Sequence, residues 1–155
     1  MHTGKIIYFT NERKKTEFQI KALKMFTKLN ETCHEILKKI NEEYQQNSQN
    51  LENNTKQDSI ILNLQRACEA SIYLAMHIVT DKRLGLPQDS RDAFSLLEAE
   101  NIIPAFLSNR MKAMVGFRNI AVHDYQELNL VILQKISDHH LVDFSEYTQT
   151  IIHSK

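Results

Sequence analysis

Glycine and proline are scarce in this chain, and their scarcity restricts the folds that it can adopt. Its 155 residues include three glycines and two prolines. Because these residues mark most turns and loops, a chain so poor in them is most simply built from long helices with short connections. Strand-like alternation is confined to residues 5–10. The length fits one domain, so we predict a single all-α domain over residues 1–155, with residues 1–11 as a loosely ordered N-terminal segment.

Apolar residues recur at steps of three and four through most of the chain, which is the spacing of helices with one buried face. The Asn- and Gln-rich stretch 45–57 is read as a frayed helix end and a connection. Pro104 suits the first turn of a helix, where its missing N–H costs nothing. The pattern predicts an antiparallel bundle of four to five helices. The first helix is expected to start at Asn11 or Glu12, the central second helix at Asp58 or Ser59, and a short third helix at Asp89 or Ser90. The fourth helix is expected over 104–123, and the last from about Asn129.

The end of the fourth helix carries the residues with the clearest chemistry. Arg118, Asn119 and His123 fall within six residues, and Tyr125 follows two residues later. An arginine can hold a phosphate by paired hydrogen bonds and keeps its charge at any working pH. A histidine can take or give a proton near neutral pH. Together these side chains form a minimal set for breaking a phosphodiester bond without a metal ion.

The positions of these residues around the helix raise a geometric difficulty. Arg118 occupies the apolar stripe of the fourth helix, between Met114 and Ala121, where a guanidinium needs an accepting partner. Asn119 and His123 are four residues apart and share a neighbouring face. Arg118 and His123 lie about 140° apart on an ideal helix. They would reach one ligand only through the length of Arg118, through a loosened helix end, or by pairing across two chains.

A purely structural interpretation of the two residues stays open at this point. Arg118 would extend its charged end past the apolar surface to solvent, as long basic side chains do. His123 would be a helix C-terminal residue favoured by the helix dipole. Short motifs often occur by chance, so spacing alone does not choose between the two interpretations.

The segment 118–123 resembles the Arg–polar–x(3)–His signature of the HEPN superfamily, and Tyr125 extends it to the Arg-x(4)-His-x-Tyr form of the HepT-like ribonuclease toxins. Segments 61–70, 81–87 and 90–94 resemble the same family, so the similarity runs from about residue 12 to the C-terminus. The resemblance implies an all-α homodimer that cuts RNA without a metal or other cofactor, in a cleft at the dimer interface.

The resemblance also implies a role for each motif residue. Arg118 and His123 would be catalytic, and Asn119 would support them. In this type VII toxin–antitoxin arrangement, a cognate nucleotidyltransferase antitoxin would silence the enzyme by transferring AMP to Tyr125. The competing interpretation of Tyr125 is a tyrosine packed at an interface with its hydroxyl hydrogen-bonded.

The leading mechanism is transesterification of RNA by attack of the ribose 2′-OH on the adjacent phosphorus. His123 would move the proton, Arg118 would stabilise the charge on the phosphoryl oxygens, and Asn119 would orient His123 or the phosphate. A two-fold axis would bring two such sets into one cleft. The rival hypothesis is a non-catalytic helical binding module that partners a nucleotidyltransferase, in which Arg118 and Tyr125 serve only an interface or a nucleotide site.

The charge balance of the chain limits how it could bind nucleic acid. Nineteen basic and nineteen acidic residues leave no net charge to steer nucleic acid, so RNA binding would rest on a local cluster. Candidates for the cluster are Arg110, Lys112, Arg118 and the Lys82-Arg83 pair, the last of which is also consistent with an ordinary solvated turn.

The remaining polar and apolar features point to a soluble chain without a metal. Cys33 and Cys68 are lone thiols on apolar stripes, which, without a signal peptide or membrane span, favours the cytoplasm. His140 lies on the apolar stripe of the last helix and is read as a core or interface histidine. No metal-binding or phosphate-loop motif is present in the sequence.

Overall fold

Helices form nearly all the regular structure in the part of the chain that the computed structural model describes, residues 24, 27, 31–125 and 128–153. No strand occurs in that part, so the all-α prediction is confirmed. The elements in chain order are helix α1, described at 24, 27 and 31–44, a 3₁₀ turn at Ser48–Glu52, α2 at Asn54–Asp81, α3 at Ser90–Ala99, α4 at Ala105–His123, α5 at Leu130–Lys135, a π-helical turn at Ile136–His140 and α6 at Leu141–His153. If α5, the π turn and α6 are counted as one interrupted helix, the described part has five helices, the upper end of the predicted four to five.

Helix α2 is central, as its wide apolar face predicts. It packs against α3, α4, α6 and the 3₁₀ turn. On the side of α6, the hydroxyl of Tyr147 donates to the backbone oxygen of Ser71 at 2.9 Å. The ring of Tyr147 also meets that of Phe94 edge-on, with centroids 5.5 Å apart. One fully buried tyrosine therefore connects α6 to both α2 and α3.

The start of α2 differs from the prediction. The helix begins at Asn54, and the side chain of Asn53 caps it by accepting from the N–H of Lys56 at 3.1 Å. Asp58 and Ser59 are therefore interior residues and not caps, because the Asn-rich stretch supplies the cap itself. The predicted connection 45–57 contains the 3₁₀ turn and the first residues of α2.

The starts of the other helices agree more closely with the sequence. Asp89 caps α3 by accepting from the N–H of Asp92 at 2.8 Å. Asn129 caps α5 through Val131 at 2.8 Å. Pro104 precedes α4 in extended conformation, and the helix itself begins one residue later. The predicted apolar stripe of α4 is buried, namely Leu107, Met111, Met114 and Ala121.

Both cysteines are free and buried, as predicted. Burial raises the pKa of the Cys33 thiol to about 11 and that of Cys68 to about 12, so both stay protonated at neutral pH. None of the described helices is long and apolar enough to cross a membrane. The cytoplasmic location stays a prediction, as does the single domain over 1–155. The expected start of α1 at Asn11 or Glu12, the N-terminal segment 1–11 and the alternating residues 5–10 lie outside the described residues.

Candidate active site

Arg118 lies where α4 meets α3. Its Nη2 donates to the hydroxyl of Ser90 at 3.1 Å, at the first residue of α3. Its charge also reaches α2, because the pKa of Cys68, raised by burial, is lowered in part by the Arg118 guanidinium. The Nε of Arg118 is buried and has no hydrogen-bond partner among the described residues. An unpaired buried N–H is costly, so this donor is suited to an acceptor that arrives with a ligand.

His123 and Asn119 face solvent on another side of the same helix. Both side chains are exposed, and neither forms a hydrogen bond with a residue that the structure describes. His123 is the last residue of α4, and the N–H of Asp124 still donates to the oxygen of Ile120 at 2.8 Å. The helix is therefore regular up to its end, and His123 is free to meet a substrate.

The structure does not bring Arg118 and His123 together within one chain. A loosened helix end is not observed, because α4 stays regular through His123. The guanidinium of Arg118 is directed toward Ser90, at the start of α3. Pairing across two chains, the third way to unite the two residues, stays a prediction.

Tyr125 lies two residues beyond the end of α4 and is hydrogen-bonded to the neighbouring helix α2. Its hydroxyl donates to Oδ1 of Asp58, in the early part of α2. Partial burial and the Asp58 carboxylate raise the pKa of the Tyr125 phenol to about 12. The side chain is nevertheless 44% exposed, so the phenol is both hydrogen-bonded and accessible from solvent.

Arg110, one member of the predicted basic cluster, is neutralised by acidic side chains. Its Nη1 lies 3.1 Å from Oδ1 of buried Asp143 and 3.9 Å from Glu146. The other carboxylate oxygen of Asp143 is 2.9 Å from Nδ1 of half-buried His140. His140 is therefore part of a structural network with Asp143, and Arg110 is a poor candidate for RNA binding. Lys82 and Arg83 are exposed, as either interpretation of that turn expects.

The acidic and hydroxyl partners of the motif were not identified as such from the sequence. Asp58 and Ser90 were expected to act as helix caps, but they accept hydrogen bonds from Tyr125 and Arg118. These pairs are 67 and 28 residues apart in the chain, beyond the range of any periodic signal. Among the described residues, no group of His, Cys, Asp or Glu side chains is placed to hold a metal ion.

Comparison with known proteins decides the family. The profile of the family described as ribonuclease HepT-like matches residues 30–151, which include α2, α3, α4 and the motif. The chain belongs to this family. The resemblance predicted from the segment 118–125 is thereby confirmed, and with it the assignment to a family of ribonucleases.

Individual relatives agree with that assignment. The chain is 51% identical over 120 residues to an mRNA nuclease HepT of Shewanella oneidensis, which covers 77% of this chain and 90% of the relative. The fold of this chain matches that of the tri-AMPylated HEPN toxin of S. oneidensis, which was solved in complex with an MNT antitoxin. The TM-score is 0.79 and the identity 48%, over 83% of this chain and 96% of that one. A toxin–antitoxin complex with AMP-PNP matches with a TM-score of 0.80 and 46% identity, over 83% of this chain and 98% of that one.

Proposed function

We propose that this HepT-like chain is the ribonuclease toxin of a toxin–antitoxin pair and that it cleaves RNA without a metal ion. The proposal rests on the different environments of the His123 and Arg118 side chains. His123 is exposed, whereas the Nε–H of Arg118 is buried, and neither has a hydrogen-bond partner among the described residues. A solvent-accessible proton carrier and an unsatisfied cationic donor are what cleavage of a phosphodiester requires.

The proposed reaction is an intramolecular transesterification. His123 takes the proton of a ribose 2′-OH while that oxygen attacks the adjacent phosphorus. The bond between phosphorus and the 5′-oxygen breaks, and that oxygen receives a proton from an imidazolium. Arg118 stabilises the negative charge on the phosphoryl oxygens, and Asn119, 40° from His123 on an ideal helix, orients the imidazole or the phosphate. The products are a 2′,3′-cyclic phosphate and a 5′-OH end.

Incubation of the purified protein with RNA in excess EDTA tests the activity itself. We expect cleavage to proceed, and the new ends to resist 5′-phosphate-dependent exonuclease and to accept phosphate from polynucleotide kinase, because they carry a 5′-OH. Intact RNA under these conditions, together with retained binding of the nucleotidyltransferase, would instead support the non-catalytic binding module.

A homodimer is the second part of the proposal, because the single chain leaves Arg118 and His123 apart. The surface beside them is suited to a second copy. Exposed apolar side chains continue from α4 onto α5, including Ile120 at 40% and Ile132 at 48% exposure. They border a cavity of about 390 Å³ between the two helices, whose lining includes Met114 and Leu128. Contiguous apolar surface of this kind is typical of protein interfaces.

We expect sedimentation equilibrium at micromolar concentration to give twice the chain mass of 18.1 kDa. Ile132→Asp should shift the protein toward monomer and reduce RNA cleavage in parallel, because a charge would be buried in the interface. Leu86→Asp is the matched control, since Leu86 is 85% exposed in the turn between α2 and α3. A wild-type monomer with full activity would rule out the composite site.

The partner proposed for this dimer is a nucleotidyltransferase antitoxin that transfers AMP to Tyr125. Support comes from the S. oneidensis relative, which is AMPylated and bound to an MNT antitoxin. In this chain the phenol of Tyr125 is accessible at the end of α4, next to the proposed site.

A further inference from the structure

A second arginine, Arg91, lies against α4 beside Gly116, a residue that also lines the cavity between α4 and α5. Arg91, in the first turn of α3, extends along α4 so that its Nη2 would be 3.1 Å from a Cβ added at Gly116. The Arg91 side chain is exposed and forms no ion pair or hydrogen bond with a described residue. The nearby carboxylates are engaged elsewhere: Asp92 accepts from the N–H of Gln88, and Asp89 accepts from that of Asp92. The guanidinium therefore has no counter-charge among the described residues.

The position of Gly116 shows which face of α4 the Arg91 guanidinium occupies. Gly116 and His123 are seven residues apart, which on an ideal helix is about 20° of rotation and about 10 Å of rise. Asn119 lies between them along the axis, about 60° from Gly116. Arg118, by contrast, is about 160° from Gly116. Arg91 is therefore the arginine that shares a face with His123 and Asn119, whereas Arg118 reaches the site from the interior side.

Basic side chains share this side of α4, although the chain as a whole has no net charge. Helix α4 contains no acidic residue, and Lys112, one turn before Gly116, lies on the same side. An arginine that has no carboxylate partner among the described residues, and that shares one side of a helix with a lysine and a histidine, is suited to the phosphate backbone of a nucleic acid. Backbone contacts of this type position a strand without reading its sequence.

We propose that Arg91 binds a backbone phosphate of the RNA beside the scissile one and so positions the strand along α4 for His123. The proposal rests on the proposed ribonuclease function, which it deepens by one substrate-contacting residue. Gly116 leaves room for this placement: a Cβ at position 116 would lie 3.1 Å from Nη2 of Arg91, so the tip of Arg91 would have to shift by a few tenths of an ångström.

The first test measures RNA binding separately from cleavage. In a His123→Ala background, the affinity for a fluorescently labelled single-stranded RNA is measured over a series of salt concentrations. Adding Arg91→Ala should weaken binding roughly 10-fold, as expected for a lost charged hydrogen bond, and should lower the salt-dependence slope by about 0.7. Arg66→Ala removes another exposed arginine, on α2, and should change neither quantity.

The second test uses Gly116→Ala, which should change stability and binding in opposite directions. The methyl group should raise the melting temperature, because alanine is the better helix former, yet it should weaken RNA binding, because the Arg91 tip must shift by a few tenths of an ångström. In an Arg91→Ala background the same substitution should have no further effect on binding. A persisting effect there would mean that Gly116 acts through another contact, such as the dimer interface.

The outcomes separate this proposal from the proposed function. RNA binding that depends on Arg91, without cleavage by the wild-type protein, would reject the ribonuclease activity and leave the phosphate contact standing. Equal affinity and slope for the Arg91→Ala and Arg66→Ala proteins would overturn the phosphate contact, as would a His123→Ala protein that binds no RNA.

Discussion

Replacing His123 with alanine is expected to reduce RNA cleavage in EDTA by a factor of about 100 to 10,000, the usual contribution of a general acid–base residue. The expected loss is chemical and not structural, because the His123 side chain is exposed and has no hydrogen-bond partner among the described residues. The variant should therefore keep the helical circular dichroism and the sedimentation behaviour of the wild-type protein. Initial rates on one labelled RNA, measured for both proteins in the same buffer, give the factor directly.

His139→Ala is the matched control for this prediction. His139 is also exposed, but it lies in the π-helical turn and not on α4. Its replacement should leave the rate within about twofold of wild type, as surface substitutions usually do. Undiminished cleavage by the His123→Ala protein in EDTA would contradict the proposed mechanism, and equal losses in the two variants would point to an indirect effect.

The helices of this fold follow largely from local sequence signals. Apolar residues at three- and four-residue steps located α2 to α6, and the starts of α3 and α5 were predicted at Asp89 or Ser90 and at about Asn129. The start of α2 was placed too late, because a stretch rich in Asn and Gln resembles a connection. Asn53 can cap a helix as well as Asp58 can, and the sequence alone does not show which of the two does so.

The site was predictable as a set of residues but not as a set of contacts. The spacing of Arg118 and His123 gave the angular separation that the structure retains. The spacing did not predict the hydrogen bonds from Arg118 to Ser90 and from Tyr125 to Asp58. It also did not predict the ion pair of Arg110 with Asp143. Each of these depends on how two helices pack, which is a tertiary property that helical periodicity does not contain.

The hydrogen bond between Tyr125 and Asp58 suggests how AMP transfer to Tyr125 could change the structure. In the transfer, the phenolic oxygen attacks the α-phosphorus of ATP, pyrophosphate leaves, and the phenolic proton passes to a base. The pKa of about 12 means that the phenol is neutral at physiological pH, so this proton must be removed during the reaction. After transfer the oxygen can no longer donate to Asp58, and a phosphodiester anion stands beside that carboxylate. Repulsion between the like charges should detach the segment after His123 from α2.

We expect incubation with the cognate nucleotidyltransferase and ATP to add AMP at Tyr125, localised by mass spectrometry of tryptic peptides. The modified protein should cleave RNA at least about 10-fold more slowly, because the new phosphate competes for Arg118, the group meant for the substrate phosphate. Tyr73→Phe is the matched control, since Tyr73 is 55% exposed on α2 and should not affect modification. Tyr125→Phe should prevent both the mass increase and the silencing. If that variant were modified and silenced to the wild-type extent, the acceptor would have to be another residue, and the bond to Asp58 would have no part in the switch.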